Sequence, residues 1–143
     1  KACEDMGFHY VKNLKDILTE CDVISISVPL TKDTRDLINT EEFSLMKDTA
    51  ILINTSRGGI VNEDALYQAL QEKKIWGAGF DAFVAEPLPA HDRLFSCFNF
   101  VGTPHNGANT REALTRMGTG AVDEILRLEK GEPTLTDLGA RIK

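Results

Sequence analysis

The feature that most constrains this chain is a repeated alternation. A short, nearly continuous apolar run is followed by a longer stretch with helical spacing, and then the pattern starts again. The runs lie at residues 23–28 ("VISISV"), 50–55 ("AILINT"), 75–83 ("IWGAGFDAF") and 99–104 ("NFVGTP"). A strand solvated on one face would alternate apolar with polar; apart from Ser25 and Ser27 in the first, these runs are nearly continuous in apolar residues, as strands of a covered parallel sheet are. The expected fold class is therefore α/β, a parallel sheet with flanking helices. Residues 8–11 ("FHYV") read as one more short strand.

The intervening stretches carry helix signals. Asn13 is placed to cap a helix with Leu14, Ile17, Leu18 and Cys21 on one face. Thr40 is read as the cap of a short helix with Glu41 and Glu42 in its first turn. Asn62 caps the next, with Glu63 and Asp64 at its positive end and Ala65, Leu66, Ala69 and Leu70 as its buried stripe. A long helix is expected from Asn109, which has capping-box spacing to Glu112. Its apolar face is Leu114, Met117, Ala121, Ile125 and Leu128, and Gly131 and Pro133 end it. Gly77 and Gly79 are read as points of close packing within the third strand.

Composition narrows the function classes. The 143 residues suffice for one domain with a core. A formal charge of −6 argues against a nucleic-acid or anionic-membrane surface. Neither a membrane-length apolar run nor a signal-peptide pattern is visible, so a cytoplasmic protein with no membrane partner is expected. Cys3, Cys21 and Cys97 are odd in number, widely spaced and without metal-ligand spacing, which reads as reduced thiols and no metal site. Cys21 and Cys97 sit in apolar surroundings and are expected in the core.

Right-handed crossovers bring the C-terminal ends of all parallel strands to one edge, where open α/β sheets bind ligands. Val28 and Pro29 follow the first strand, and Thr55, Ser56 and Arg57 the second. Asp81 and then Glu86 follow the third, and His105 the fourth. His9 and His91 have no such position and read as structural or exposed. Arg57 is a permanent cation where a core strand stops, followed by Gly58 and Gly59, which leave room for a ligand or a tight turn. A guanidinium suits a carboxylate or 2-keto acid, and a histidine beside a carboxylate can give or take the proton on the adjacent oxygen. That chemistry is carbonyl reduction or its reverse, with the hydride coming from a nicotinamide cofactor.

The stretches "DVISISVPLTKDTRDLIN", "MKDTAILINTSRGGIVNEDALYQAL", "GAGFDAFVAEPLP" and "TPHNGANTREA" carry a resemblance in order and spacing. The chain resembles the D-isomer-specific 2-hydroxyacid dehydrogenases, a group that includes D-3-phosphoglycerate dehydrogenase, D-lactate dehydrogenase and glyoxylate/hydroxypyruvate reductase. The resemblance implies a Rossmann-like fold and NAD or NADP as cofactor. It gives Arg57 the substrate carboxylate and keto oxygen, His105 the acid/base role, and Glu86 the place of its carboxylate partner. It gives Asp81 the nicotinamide carboxamide, and Val28, Thr55, Ser56, Asn106, Gly107 and Ala108 the lining of the cofactor site, which Arg57 and His105 also touch. On this reading the glycines after Arg57 let substrate and cofactor approach the backbone. Asn106 departs from the family, in which an apolar residue is more usual.

The same resemblance casts residues 1–131 as the C-terminal part of a dinucleotide-binding domain, without its first strands and glycine-rich loop. Residues 132–143 become a tail returning towards a substrate domain that is mostly absent. The missing first strand would pair with "VISISV", leaving an apolar strand at the sheet edge. The expected partners are a 2-hydroxy or 2-keto acid and a second copy of the full-length chain. D-3-phosphoglycerate and glyoxylate/hydroxypyruvate are the candidate substrates. Two other readings compete: an NAD(H)-sensing, corepressor-like binding protein of the same fold, and an inactive fragment.

Overall fold

The computed structural model describes residues 5–134. They fall into two compact units, the chain dividing between Asn106 and Gly107. The first holds helix α1 (Leu14–Glu20), strand β1 (Val23–Ile26), α2 (Thr40–Leu45), β2 (Ile51–Asn54), α3 (Glu63–Gln71), β3 (Gly77–Phe80), a 3-10 turn (Arg93–Ser96) and β4 (Phe100–Gly102). The second holds α4 (Arg111–Glu129). Cys3 and the end of the tail, residues 135–143, lie outside the described residues.

All four strands are parallel, in the order β1-β2-β3-β4. The α/β expectation is met, and four strand C-termini share one edge. The ladders are shorter than the apolar runs. Ile26 pairs with Asn54, and Asn54 with Phe80, so the three strands stop at one level. Ser27, Val28 and Thr55 lie past that level and form the rim instead. Residues 8–11 form no strand: Phe8 is 64% exposed, and no neighbouring ladder takes up the segment.

The core is built where the pattern put it. Ile24, Ile26, Leu52, Ala78, Phe80 and Phe100 from the sheet are buried with Leu18, Phe43 and α3's Ala65, Leu66, Ala69 and Leu70. Burying a leucine such as Leu66 contributes about 1.5–3 kcal/mol. Cys97 is buried, whereas Cys21 only packs against the core's edge. Val23, at the start of edge strand β1, is 56% exposed. Among the described residues no helix is long and apolar enough to cross a membrane.

Several local expectations shift. The cap of α2 is Asn39, not Thr40: the Thr40 N–H donates to Asn39 Oδ1 (2.8 Å) and the Asn39 N–H to Glu42 Oε2 (3.0 Å), a reciprocal capping box. Asn13 holds the cap position of α1, but its amide donates to Asp16 Oδ2 instead of accepting from the helix. The cap of α4 is Thr110, whose Oγ1 accepts from the Ala113 N–H (3.1 Å); Asn109 lies one residue too early. No residue of α4 is buried, so its apolar face, including Leu114, Met117, Ile125 and Leu128, stays exposed. Close packing holds for Gly77, where a Cβ would lie 2.8 Å from the Asn99 carbonyl oxygen, but not for Gly79, which has open space.

Candidate active site

Arg57 sits in a turn anchored by the last residue of β2. Asn54 is only 1% exposed and makes the turn's hydrogen bonds. Its Nδ2 donates to the Arg57 carbonyl (3.0 Å), and its Oδ1 accepts from the Ser56 N–H (3.1 Å) and Ser56 Oγ (2.8 Å). A buried amide so satisfied fixes the backbone that follows. Sequence reading missed Asn54; the signal was a polar side chain ending an otherwise apolar strand, "ILIN".

The glycines act differently from expectation. A Cβ on Gly58 would lie 2.0 Å from the carbonyl carbon and oxygen of Phe83 and 2.3 Å from the Val84 nitrogen. The close approach at Gly58 is therefore to the protein's own β3–β4 loop, not to a ligand. Gly59 provides the tight turn, with φ +81°. Arg57 itself is exposed, with Nη1 donating to the Ser56 carbonyl (2.6 Å). With Ser27, Val28, Pro29, Leu30, Thr55 and Ser56 it lines a cleft of about 630 Å³ at the strand-end rim.

The loop against Gly58 carries Glu86. Glu86 Oε1 accepts from the Phe83 N–H (3.0 Å), and Glu86 Oε2 accepts from His105 Nδ1 (2.8 Å). The hydrogen bond from His105, then that from Phe83, hold the Glu86 carboxyl below its ordinary range, with Arg57 adding in the same direction. Glu63, at the start of α3, supports the same loop by accepting from the Val84 N–H (2.8 Å). Burial pushes the Glu63 carboxyl up, with Asp92 adding to it, while the Val84 bond and Arg93 oppose. The sequence placed Glu63 only in the helix's first turn; its reach of 21 residues to Val84 has no local signal.

His105 has φ +51°, a strained region for a residue with a Cβ, and its N–H donates to the Thr103 carbonyl (2.9 Å). Asp81 holds this loop. Its Oδ1 accepts from Thr103 Oγ1 (2.5 Å) and from the Asn106 N–H (3.0 Å), brackets on either side of the histidine. Nearly buried, Asp81 lies beneath the strained turn as a positioning group. With Nδ1 facing Glu86, Nε2 is the ring nitrogen left for a reactant. His105, Glu86, Phe83, Pro87, Leu88 and Pro104 line a cavity of about 430 Å³.

The fold thus brings Arg57, Glu86 and His105 together through Glu86. Glu86 shares one cavity with His105 and another, of about 300 Å³, with Arg57. Val28, Thr55 and Ser56 join Arg57 in the larger cleft. Asn106 is tied to Asp81, whereas Gly107 and Ala108 begin the second unit. His9 and His91 are exposed and line none of these three cavities.

Residues 1–107 match the model of the D-isomer specific 2-hydroxyacid dehydrogenase NAD binding domain. The chain is 41% identical over 132 residues to D-3-phosphoglycerate dehydrogenase of Methanocaldococcus jannaschii, covering 92% of this chain and 25% of that one. It is 42% identical over 139 residues to glyoxylate reductase of Pyrococcus furiosus, covering 96% of this chain and 41% of the relative. Among solved structures, D-lactate dehydrogenase with NAD+ from Lactobacillus jensenii superposes with a TM-score of 0.81 at 30% identity, over 87% of this chain and 41% of the other. The holo form of Rhodotorula graminis D-mandelate dehydrogenase gives 0.86 at 30%, over 94% and 39%. The chain spans between a quarter and about two-fifths of the length of these relatives. With its parallel sheet and its strand-end cleft, the chain belongs to the D-isomer specific 2-hydroxyacid dehydrogenases, residues 1–107 matching their NAD binding domain.

Proposed function

We propose that the full-length gene product interconverts 2-keto acids and D-2-hydroxy acids with NAD(H) or NADP(H), with glyoxylate, hydroxypyruvate and the keto acid of D-3-phosphoglycerate as candidate substrates. The observation that carries this reading is the shared position of Glu86, which lines one cavity with the cation Arg57 and another with the acid/base His105. The rim cleft, with hydroxyls from Ser27, Thr55 and Ser56 among Val28, Pro29 and Leu30, has the mixed lining that a nicotinamide ribose and ring would fit. Those residues and Arg57 would hold the cofactor, with Asp81, His105 and Asn106 completing this unit's share of the site. When bound, the nicotinamide supplies or accepts the hydride at the carbon that changes oxidation state.

The chain's own residues do the rest. The Arg57 guanidinium holds the substrate carboxylate and polarises the keto oxygen through charge-assisted hydrogen bonds. Protonated His105 donates from Nε2 to that oxygen as it becomes a hydroxyl; in oxidation neutral His105 removes the hydroxyl proton. Ionised Glu86 accepts from Nδ1, which fixes the ring and leaves Nε2 for the substrate oxygen. Asp81 keeps Thr103 and Asn106 in place, so the strained His105 turn is already formed before substrate arrives. We place the protein in the cytoplasm as a homodimer; the unpaired thiols of Cys21 and Cys97 support a reducing compartment.

The test is NADH and NADPH oxidation by the full-length gene product with glyoxylate, hydroxypyruvate, phosphohydroxypyruvate and pyruvate. Turnover of at least one, with the D-hydroxy acid as product, is expected. Dinucleotide binding without turnover of any 2-keto acid would replace the enzyme with a dinucleotide sensor.

A further inference from the structure

A second arginine enters the Arg57 cavity. Arg35 lines the space of about 300 Å³ together with Arg57, Gly58, Gly59, Leu30, Phe83, Val84 and Glu86. Its guanidinium crosses Gly59: a Cβ built there would lie 3.5 Å from Arg35 Nη1. The segment carrying it is tied down. The Thr34 hydroxyl donates to the Pro29 carbonyl (2.7 Å), the Arg35 N–H to the Thr31 carbonyl (3.1 Å), and the Asp36 N–H to the Gly59 carbonyl (2.9 Å). That last bond fixes the Arg35 segment directly to the turn that follows Arg57.

Two features single this arginine out. Among the described residues its guanidinium makes no hydrogen bond or ion pair, although the chain carries 22 acidic side chains and a net charge of −6. And it shares its cavity with another cation. Like charges brought into one cavity repel unless an anion accompanies them. Glu86, the one carboxylate lining the space, is committed to the Phe83 N–H and to His105. When His105 is protonated that pair is neutral overall, and an anion entering the space would meet two solvent-facing guanidinia.

We propose that Arg35 is a specificity-determining residue that binds a second anionic group on the substrate, so that the preferred 2-keto acids carry a phosphate ester or a second carboxylate at the end away from the one held by Arg57. This rests on the reading of Arg57 as the clamp for the first carboxylate. The shared chemistry is a dianionic acid matched by two guanidinium forks; the length and charge of the far group decide between phosphate and carboxylate.

The experiment compares wild type, Arg35→Gln and Arg35→Lys in the full-length gene product. The readout is the ratio of kcat/KM for 3-phosphohydroxypyruvate to that for hydroxypyruvate, with oxaloacetate as the second-carboxylate arm. Arg35→Gln should lower the ratio for one dianionic acid by about 10- to 100-fold, chiefly through KM, the factor expected for a lost charge-assisted contact. Arg35→Lys should recover part of it. A ratio that Arg35→Gln leaves unmoved, whatever happens to absolute rates, overturns the proposal. Calorimetry with 3-phosphoglycerate on the same proteins separates the two readings. Binding that depends on Arg35 without any turnover would retain the subsite and sink the dehydrogenase; turnover with an Arg35-independent ratio would do the reverse.

Discussion

Arg57 and His105 follow strands of one sheet, yet their surroundings are built in opposite ways. The Arg57 turn is local: Asn54, three residues away, bonds its carbonyl, and Gly58 and Gly59 follow at once. The His105 turn is held from afar, by Asp81 across 22 and 25 residues and by Glu86 across 19. One is a corner whose side-chain hydrogen bonds to Arg57 and Ser56 come from within the turn itself. The other depends on the pairing of β3 with β4, which brings Asp81 within hydrogen-bond reach of Thr103 and Asn106. On the proposed roles, a cation that clamps and polarises the substrate can stand on a local turn, whereas a proton donor needs its partner, tautomer and backbone set by separate elements.

Substitutions on each side should therefore fail differently. His105→Gln should have the largest effect, a loss of about 10²–10⁴-fold in rate with KM and NADH affinity little changed, as for a missing general acid. Arg57→Gln should raise KM as well as lower kcat, costing on the order of 2–4 kcal/mol in kcat/KM. Steady-state kinetics with both variants would erase the contrast if Arg57→Gln lowered kcat alone.

Gly58→Ala strikes where the two regions touch. A methyl 2.0 Å from the Phe83 carbonyl must displace the Glu86 loop or the Arg57 turn. Stability should fall by about 1–3 kcal/mol, near the upper end, as for overpacking. Denaturant midpoints showing no loss would mean that the two backbones are not in contact. Asp81→Asn is milder, with about 1–3 kcal/mol expected from weakened bonds to Thr103 and Asn106. It should lower kcat more than it raises KM, because it loosens the histidine rather than the clamp.

The smallest effects concern two carboxylates that hold adjacent N–H groups of one loop. Glu86 titrates below its ordinary 4.5 in the folded protein, so its contribution to stability is complete above that value and drains away as pH falls through the depressed one. Glu63 is raised, so its contribution is present below 4.5 and lost as pH rises through its folded value. Glu86→Gln should flatten the acid limb of a stability profile. Glu63→Gln, which can still accept from Val84, should leave neutral-pH stability equal or slightly higher, by less than ~1 kcal/mol. Parallel slopes in the two variants would mean that the loop's carboxylates are equivalent after all.

The same division explains what the sequence could tell. The apolar runs at 50–55 and 75–83 announce covered strands of a parallel sheet by their composition, whereas β1, with Ser25 between Ile24 and Ile26, buries one face alone; the α3 stripe is marked by its period. Arg57 was legible as a charge ending such a run. The ladder ends at Ile26 and Asn54 were not, since pairing stops where the neighbouring strand stops. Asn39 took the cap of α2 because Glu42 lies three residues on, a spacing that an expectation centred on Thr40 passed over. Gly58 could be read as special, but the object it makes room for, the Phe83 backbone, lies 25 residues away in sequence. The support of Asp81 for His105 and that of Glu63 for Val84 leave no local trace; only the folded sheet brings them into range.

The central claim is that these two differently built corners act on one substrate, Arg57 holding the acid that His105 protonates. A double-mutant cycle on kcat/KM tests it most directly, with Arg57→Gln, His105→Gln and the double variant assayed on the best 2-keto acid and NADH affinity measured alongside. The account predicts that the double variant loses less than the product of the single losses, with a coupling of about 0.5–3 kcal/mol and dinucleotide binding retained. Losses that simply multiply, or single variants that turn over keto acid as the wild type does, would contradict it.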